Sequence, residues 1–515
     1  MIVLYCIFCA LYLFASVLAA LRYMHAFQLN AYRTRTQLSW MKNHRERLAC
    51  LIPVFLCLCF APVGRFWSSV VSTVFLAFSC YTLFPRKAKK PLVVTSRIKR
   101  LLGTFLLLSV LFGVAGYLLG KHLRMTLPAL FLLCSPFAVL LANFINQPIE
   151  KAARNWYIRD AKKKLASSPD LTVLGVTGSF GKTSVKSHLG HLLSVRYDTL
   201  ITPESYNTPM GVVRTIREKL LPRHTLFVCE MGARHVGDIK ELCDLVHPVH
   251  GIITAVGNQH LETFKTEDNI LHTKFELADA LPPDGMLFVN ADSEPIRRHL
   301  PSLDRPYISY GLTPDCAYYA SDISVSLTGT SFLLHTPDGE SIPYRMKLLG
   351  GHNVLNVTGA LAVCISFGIP PQELIPAVRT LEPVPHRMQL LPGGDITFID
   401  DAYNSNPAGC RAALNTLSLF DACKILVTPG MVELGSDMEK SNKAFGVQAA
   451  AVCDYVFLVG ERQAVPIREG LLEAGFPEGR ITVTHTLQEA LGFVRAIHAS
   501  KKKIVLLEND LPDNY

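Results

Sequence analysis

Acidic side chains are nearly absent from the first third of this chain. Residues 1–165 hold 3 of the 42 Asp and Glu but 22 of the 51 Lys and Arg, a local net charge of +19. The remainder carries 29 basic and 39 acidic residues, a net of −10, under an overall charge of +9. A basic excess confined to one end is not a nucleic-acid signature for the rest, and no nucleic-acid partner is expected. The same region lacks any charge inside five apolar runs: 2–21, 48–64, 66–85, 101–120 and 125–149. One Lys or Arg at mid-bilayer costs about 2.5–3.5 kcal/mol, and a spanning helix needs roughly 20 apolar residues, so these runs predict about five transmembrane helices. The run 48–64 fits least well, being short and holding Pro53 and Pro62. No basic segment precedes the first run and no small-residue cleavage site follows it, which favours an uncleaved span over a signal peptide. No ionisable residue inside a run marks an ion path, which disfavours a transporter.

Paired cysteine spacing is also missing. Seven of the fourteen cysteines fall in 1–165 and seven beyond, the latter scattered singly; Cys6, Cys9, Cys57 and Cys59 lie inside apolar runs. No zinc site or disulfide framework is expected. The chain shows no internal repeat and no low-complexity segment.

The basic residues that are present sit between the runs. Segments 22–47, 86–100 and 151–164 each hold six or more Lys or Arg, whereas the other two connections carry only Arg65, and Lys121 with Arg124. The positive-inside rule makes the strongly basic segments cytoplasmic. Five spans then leave the N-terminus outside and the large C-terminal part in the cytoplasm, as a multi-pass protein of the cell membrane. The expected organisation is a transmembrane region at 1–150, a basic linker at 151–168 and two α/β domains, 169–384 and 385–515.

From residue 169 onward, apolar strand-like runs (171–174, 225–229, 251–256, 286–289) alternate with helical stretches, the pattern of a wound α/β sheet. Segments 323–327, 331–335 and 344–348 suggest a small antiparallel insertion within 306–349, followed by a helix at 354–367. A second α/β unit begins at Ile396, with strands at 396–399, 424–428, 455–459, 481–484 and 504–507. Between strand 171–174 and helix 185–195 lies Gly175-Val176-Thr177-Gly178-Ser179-Phe180-Gly181-Lys182-Thr183-Ser184. Val176 stands where the strict phosphate-loop pattern has its first glycine, leaving the short form Gly178-x-x-Gly181-Lys182-Thr183. Strand, glycine loop and helix let backbone N–H groups close around phosphate oxygens; Lys182 would neutralise charge and Thr183 would ligate Mg²⁺. An ordinary strand-to-helix turn with a surface lysine is the plainer alternative.

Further stretches follow in order: Glu230-Met231-Gly232, His260-Leu261-Glu262, Lys274-Phe275-Glu276, Gly351-His352-Asn353-x-x-Asn356, Pro385-His386-Arg387, and Asp400-Asp401-x-Tyr403-Asn404-x-Asn406-Pro407. This set, over about residues 170–460, resembles the Mur ligases, and within them the branch that adds D-alanyl-D-alanine to a UDP-linked muramoyl tripeptide. The resemblance implies a P-loop central domain, a Rossmann-like C-terminal domain, and ATP-dependent amide formation through an acyl phosphate in cell-wall synthesis. It implies that Gly178, Ser179, Gly181, Lys182, Thr183 and Ser184 hold the ATP phosphates. Thr183 and Glu230 would ligate one Mg²⁺, and His260 a second, with Lys274 carbamylated beside it. His352, Asn353 and Asn356 would border adenine. Arg387, Asp401, Tyr403 and Asn404 would bring the C-terminal domain onto the nucleotide. Thr202, Asn207 and Gly211 match a segment that lines the substrate cleft. Taken singly, Lys274 reads as a helix-surface lysine, His260 as a loop histidine, Asn353 and Asn356 as helix caps, and Asp400 as a buried structural acid. Glu433 matches a family segment but is given no chemistry.

The chain departs from the family in several places. Ser205 stands at the first Asn of TxxNxN, Pro429-Gly430 replaces Gly-Asp, and the segment 506–515 (Leu-Leu-Glu-Asn-Asp-Leu-Pro-Asp-Asn-Tyr) falls where the resemblance implies a basic substrate-contacting segment. Apolar runs stand in place of the N-terminal UDP-sugar-binding domain. The implied partner is therefore a small-molecule or lipid-linked cell-wall precursor at a membrane. A ligase for another envelope polymer, and a nucleotide-binding membrane scaffold, remain alternatives.

Overall fold

The computed structural model describes residues 2–61, 66–84, 91–120, 122–257, 261–326, 328–403, 405–432, 434, 437–460 and 464–510. The chain divides into two compact units, one through residue 156 and one from 157 to 511.

The first unit is helical. Helices Ile2–Leu29, Phe66–Leu83 and Ser96–Leu118 are long and apolar enough to cross a bilayer. The run 48–64 does not yield a fourth: it gives a short apolar helix, Leu48–Phe60, which at about 1.5 Å per residue falls short of a roughly 30 Å core. The last run is broken into Leu123–Leu133 and Ser135–Ala166, bent by 78°. Pro136, just after the break, has no N–H to continue the ladder and its ring crowds the carbonyl four residues back. Among the described residues, the expectation of about five spans is thus corrected to three, or four if the bent pair counts as one. Phe8, Tyr12, Phe27 and Phe105 fill the core between these helices. Tyr12 Oη, buried among them, donates to the Ser109 carbonyl at 2.7 Å.

The second unit holds two sheets. The larger contains β1 (Thr172–Thr177), β2 (Thr199–Ile201), β3 (Leu226–Glu230), β4 (His250–Ile253), β5 (Leu287–Asn290), β6 (Ile308–Gly311), β7 (Tyr318–Ser326), β8 (Gly329–His335) and β9 (Ser341–Met346). Its order is β2-β3-β1-β4-β5-β6-β7-β8-β9. Pairing is parallel as far as β7, and β7-β8-β9 is antiparallel. The antiparallel insertion is therefore an extension of the main sheet. Helix Lys182–Leu193 covers one face through Val185, Leu189 and Leu192, beside Val357 and Leu361 of helix Gly351–Ser366. Val213, Ile216, Leu242 and Leu277 cover the other. Central strands buried on both faces read as continuous apolar runs, which is why the sequence announces them.

The smaller sheet contains β10 (Gln389–Gly393), β11 (Ile396–Asp401), β12 (Cys423–Thr428), β13 (Tyr455–Val459), β14 (Ile481–Thr484) and β15 (Lys503–Glu508), ordered β10-β11-β15-β12-β13-β14. Only β10 runs antiparallel. Two registers matter below. Val176 lies opposite Glu230, and Asp401 opposite Glu508. Ligands of open parallel sheets gather at such C-terminal strand edges.

Candidate active site

The chain leaves β1 through Gly178 and enters helix Lys182–Leu193 through Gly181. Both glycines have positive φ, +149° and +80°. A Cβ on Gly178 would lie 2.1 Å from Thr254 Oγ1, and one on Gly181 would lie 2.7 Å from Asn356 Oδ1. The loop is clamped against β4's exit: Ser179 N donates to the Ala255 carbonyl at 2.6 Å, Ser179 Oγ donates to the Gly257 carbonyl at 3.1 Å, and Thr254 Oγ1 donates to the Phe180 carbonyl. No side chain caps helix Lys182–Leu193, so its first N–H groups stay available to an anion. Ser184 is buried beneath them. Lys182 curls back over the loop and donates to the carbonyls of Gly178 (2.7 Å) and Ser179 (3.0 Å).

Glu230, at the end of β3, is fully buried. Its Oε1 accepts from Thr183 Oγ1 at 3.1 Å and from Asn207 Nδ2 at 3.0 Å, and its Oε2 lies 3.0 Å from Lys186 Nζ. These oxygens suit a hard cation such as Mg²⁺, which takes one or two protein donors and completes its shell with phosphate and water. Among the described residues no group of three His, Cys, Asp or Glu could hold a metal unaided. The fit is to Mg²⁺ carried with a polyphosphate. His260 lies outside the described residues, as do Asn404 and Glu433.

Lys274 lies in helix Glu267–Ala280, and the structure buries it; only 3% of its surface is exposed. Its Nζ sits 6.0 Å from the centre of the Phe264 ring. Burial, and then the charge of Lys182, lower its pKa to about 7. Lys182 is itself lowered to about 8 by burial, with Glu230 opposing and Arg387 adding to the drop. Lys182 thus lies within electrostatic reach of Arg387 and of Lys274, and with Arg387 offers a positive field to a polyphosphate.

Arg387 stacks on the Tyr403 ring at 4.4 Å, and its Nε is buried without a partner. Tyr403 Oη meets Ser205 Oγ across from the larger sheet. Asp401 Oδ1 accepts from Met388 N at 3.1 Å, and burial raises its pKa to about 6. Asp400 instead bonds His386 Nδ1 at 2.8 Å and takes a structural place. The ring of His352 has a pKa lowered to about 4 by burial, so it is neutral and suited to an uncharged surface such as a base. Asn353 is buried and donates to the Leu349 carbonyl at 2.8 Å, whereas Asn356 faces the phosphate loop at Gly181. Thr202 is buried, its hydroxyl accepting from Glu230 N at 3.1 Å, so it supports Glu230 from behind. Gly211 opens helix Pro209–Lys219 and donates to the capping Thr208 Oγ1 at 3.4 Å.

Two features escaped sequence reasoning. Lys186 was not singled out, although its spacing of four from Lys182 places both on one face. Glu508 is buried, with Oε1 accepting from Ser405 Oγ at 2.6 Å and from Cys410 Sγ at 3.3 Å. Burial and the charge of Asp401 push its pKa up to about 8. Next to it, Asn509 Nδ2 donates to the Gly430 carbonyl at 2.6 Å. The departures at 429–430 and 508–510 thus touch each other.

The description "Mur ligase middle domain" matches residues 176–364, and "Mur ligase, glutamate ligase domain" matches 386–508. The chain is 31% identical to the UDP-N-acetylmuramoyl-tripeptide–D-alanyl-D-alanine ligase of Mycobacterium bovis over 329 residues, 61% of this chain. That match spans 64% of the mycobacterial protein, less than two thirds of its length. The Bacillus subtilis ligase of the same name is 30% identical over 341 residues, 65% of this chain and 72% of its own. Among solved structures, MurF from Acinetobacter baumannii superposes with TM-score 0.63 at 27% identity, over 69% of this chain and 77% of that one. MurF from Thermotoga maritima in complex with ADP gives 0.63 at 25%, over 69% and 80%. With its glycine loop, buried carboxylate and two matched domains, the chain belongs to the Mur ligase family.

Proposed function

We propose that this protein is an ATP-dependent amide-forming ligase acting at a membrane. The observation that carries this reading is the glycine cradle set between Lys182 and the Thr183–Glu230 pair, with Lys274 and Arg387 close enough to perturb the lysine charges. A carboxylate is a poor electrophile. Phosphorylation by ATP gives it a leaving group, after which an amine attacks the carbonyl and phosphate departs. The protein's part is positioning and charge neutralisation. Lys182 exchanges its loop carbonyls for phosphate oxygens. Thr183 and Glu230 would hold Mg²⁺, which when bound screens the phosphate charge. Arg387, braced on Tyr403, brings the second sheet's domain onto the nucleotide; Asp401 and the neutral His352 flank it. Lys274 fits carbamylation, because a buried amine with a pKa near 7 is largely neutral and nucleophilic at cellular pH.

The family match favours addition of D-alanyl-D-alanine, or another amino compound, to a cell-wall peptide precursor. A lipid-linked precursor is the second reading. It is favoured by the apolar helices that stand where the relatives carry another domain. The basic segment 151–164, which leads directly into the catalytic domains, supports a cytoplasmic position for them. The test is phosphate release by detergent-solubilised protein with ATP and Mg²⁺, offering D-Ala-D-Ala, D-Ala or L-Glu against UDP-muramoyl peptide or a lipid-linked precursor. Turnover requiring D-Ala-D-Ala and the UDP-linked acceptor supports the first reading, and turnover with the lipid-linked acceptor alone supports the second. ATP binding without turnover for any pair would leave a nucleotide-binding scaffold.

A further inference from the structure

Lys186 lies one turn beyond Lys182 on the same helix, and only 2% of its surface is exposed. A buried ammonium persists only with good partners. This one has two: Glu230 Oε2 at 3.0 Å and the carbonyl of Glu204. Glu204 has φ of +43°, a left-handed value that a residue with a long side chain seldom takes unless something holds it. Three residues on, Asn207 is fixed from the other side. Its Nδ2 donates to Glu230 Oε1 at 3.0 Å, and its carbonyl accepts from Gly232 N at 2.8 Å. Residues 204–207 are therefore a strap tied to one buried carboxylate at both ends, through Lys186 at Glu204 and directly at Asn207. Between the ties, Ser205 meets Tyr403 of the second sheet's domain.

We propose that Lys186 is a positioning residue: its ammonium locks the strap 204–207 to Glu230 and holds that carboxylate in place before Mg²⁺ arrives. The inference rests on the ATP–Mg²⁺ reading above and adds a residue to which that reading gives no part. Two consequences have opposite signs. Without the ammonium the strap loses one tie and loosens. Glu230 also loses the cation that shares its charge, and so draws Mg²⁺ more strongly. A lysine that merely filled space would, when removed, loosen the strap and weaken Mg²⁺ binding together.

The experiment uses full-length protein in detergent, as wild type, Lys186→Met and Lys186→Arg. Amide hydrogen exchange of residues 203–208 is followed without ligand. The Mg²⁺ midpoint for binding a non-hydrolysable ATP analogue is measured separately. In Lys186→Met, loss of a charge-assisted bond should speed strap exchange about tenfold or more and lower the Mg²⁺ midpoint by roughly fivefold. Lys186→Arg should retain most of the strap protection. Wild-type strap protection in Lys186→Met, or an unchanged or raised Mg²⁺ midpoint, overturns the proposal. If the Met variant does not fold, Lys186→Leu, which likewise removes both the donor and the charge, gives the same two readouts. A wild type that binds no ATP analogue would sink the ligase reading instead, and the strap exchange would still decide whether Lys186 ties 204–207 to Glu230.

Discussion

The state of Lys274 can be predicted quantitatively. An exposed lysine with a pKa near 10.5 is about 0.1% neutral at pH 7.5, whereas one near 7 is about three-quarters neutral, a gain of several hundredfold in nucleophilic amine. The cause is burial, reinforced by the charge of Lys182. A neutral amine adds to dissolved CO₂: the N–C bond forms, a proton leaves, and the cation becomes an anion. That product answers the same positive neighbours that disfavoured the ammonium. Protein equilibrated with ¹³C-bicarbonate should show a carbamate carbon signal that is absent from Lys274→Ala. The signal should grow as pH rises through about 7, where the amine loses its proton, and level off near 8. Turnover should fall by about 10²-fold or more in the variant, and also in wild type stripped of CO₂. In unmodified protein, the unfolded chain holds the extra proton between about pH 7 and 10.5, so stability should rise with pH across that window. A measured Lys274 pKa near 10, or a carbon signal that survives Lys274→Ala, would refute the reasoning.

Other expectations follow from the same geometry. Lys182→Ala should leave a folded protein whose turnover drops by about 10²–10³, with weakened ATP binding by calorimetry. Gly181→Ala should cost about 1–3 kcal/mol and weaken nucleotide binding, because φ is +80° and the new Cβ meets Asn356; Asn356→Ala beside it should recover only part of the loss. Glu508→Gln should stabilise the protein at pH 8–9 by about 2–4 kcal/mol in denaturant unfolding. The folded state holds the Glu508 proton between the ordinary carboxyl pKa and about 8, so wild-type stability falls as pH rises over that interval, and the amide removes the fall. A flat pH profile in wild type would show that the carboxyl ionises normally.

Much of the fold was legible because its central strands are covered on both faces and so read as uninterrupted apolar runs, as at β3 and β12. β2 is only three residues long and carries too little pattern to see. The glycine loop was legible because its backbone conformation demands glycine at 178 and 181. Lys186 was not. Its partner Glu230 is remote in sequence, and nothing local distinguishes a lysine facing a buried carboxylate from one facing water. The helical region was over-counted for a related reason. Hydropathy registers apolar length, but whether the chain continues straight depends on single residues such as Pro136.

The place of β15 bears on how the protein is made. It comes last among the described strands, yet it lies between β11 and β12 at the middle of its sheet. While the ribosome is still working, β11 has no neighbour on that side and β12 has an open edge. At roughly 5–20 residues per second, that half-built layer persists for several seconds after β12 emerges. Chains cut short before residue 503 would present two unpaired strand edges, a ready target for chaperones and proteases. The segment that closes the sheet also delivers Glu508 opposite Asp401, so sheet closure and the placing of that buried carboxyl are one event.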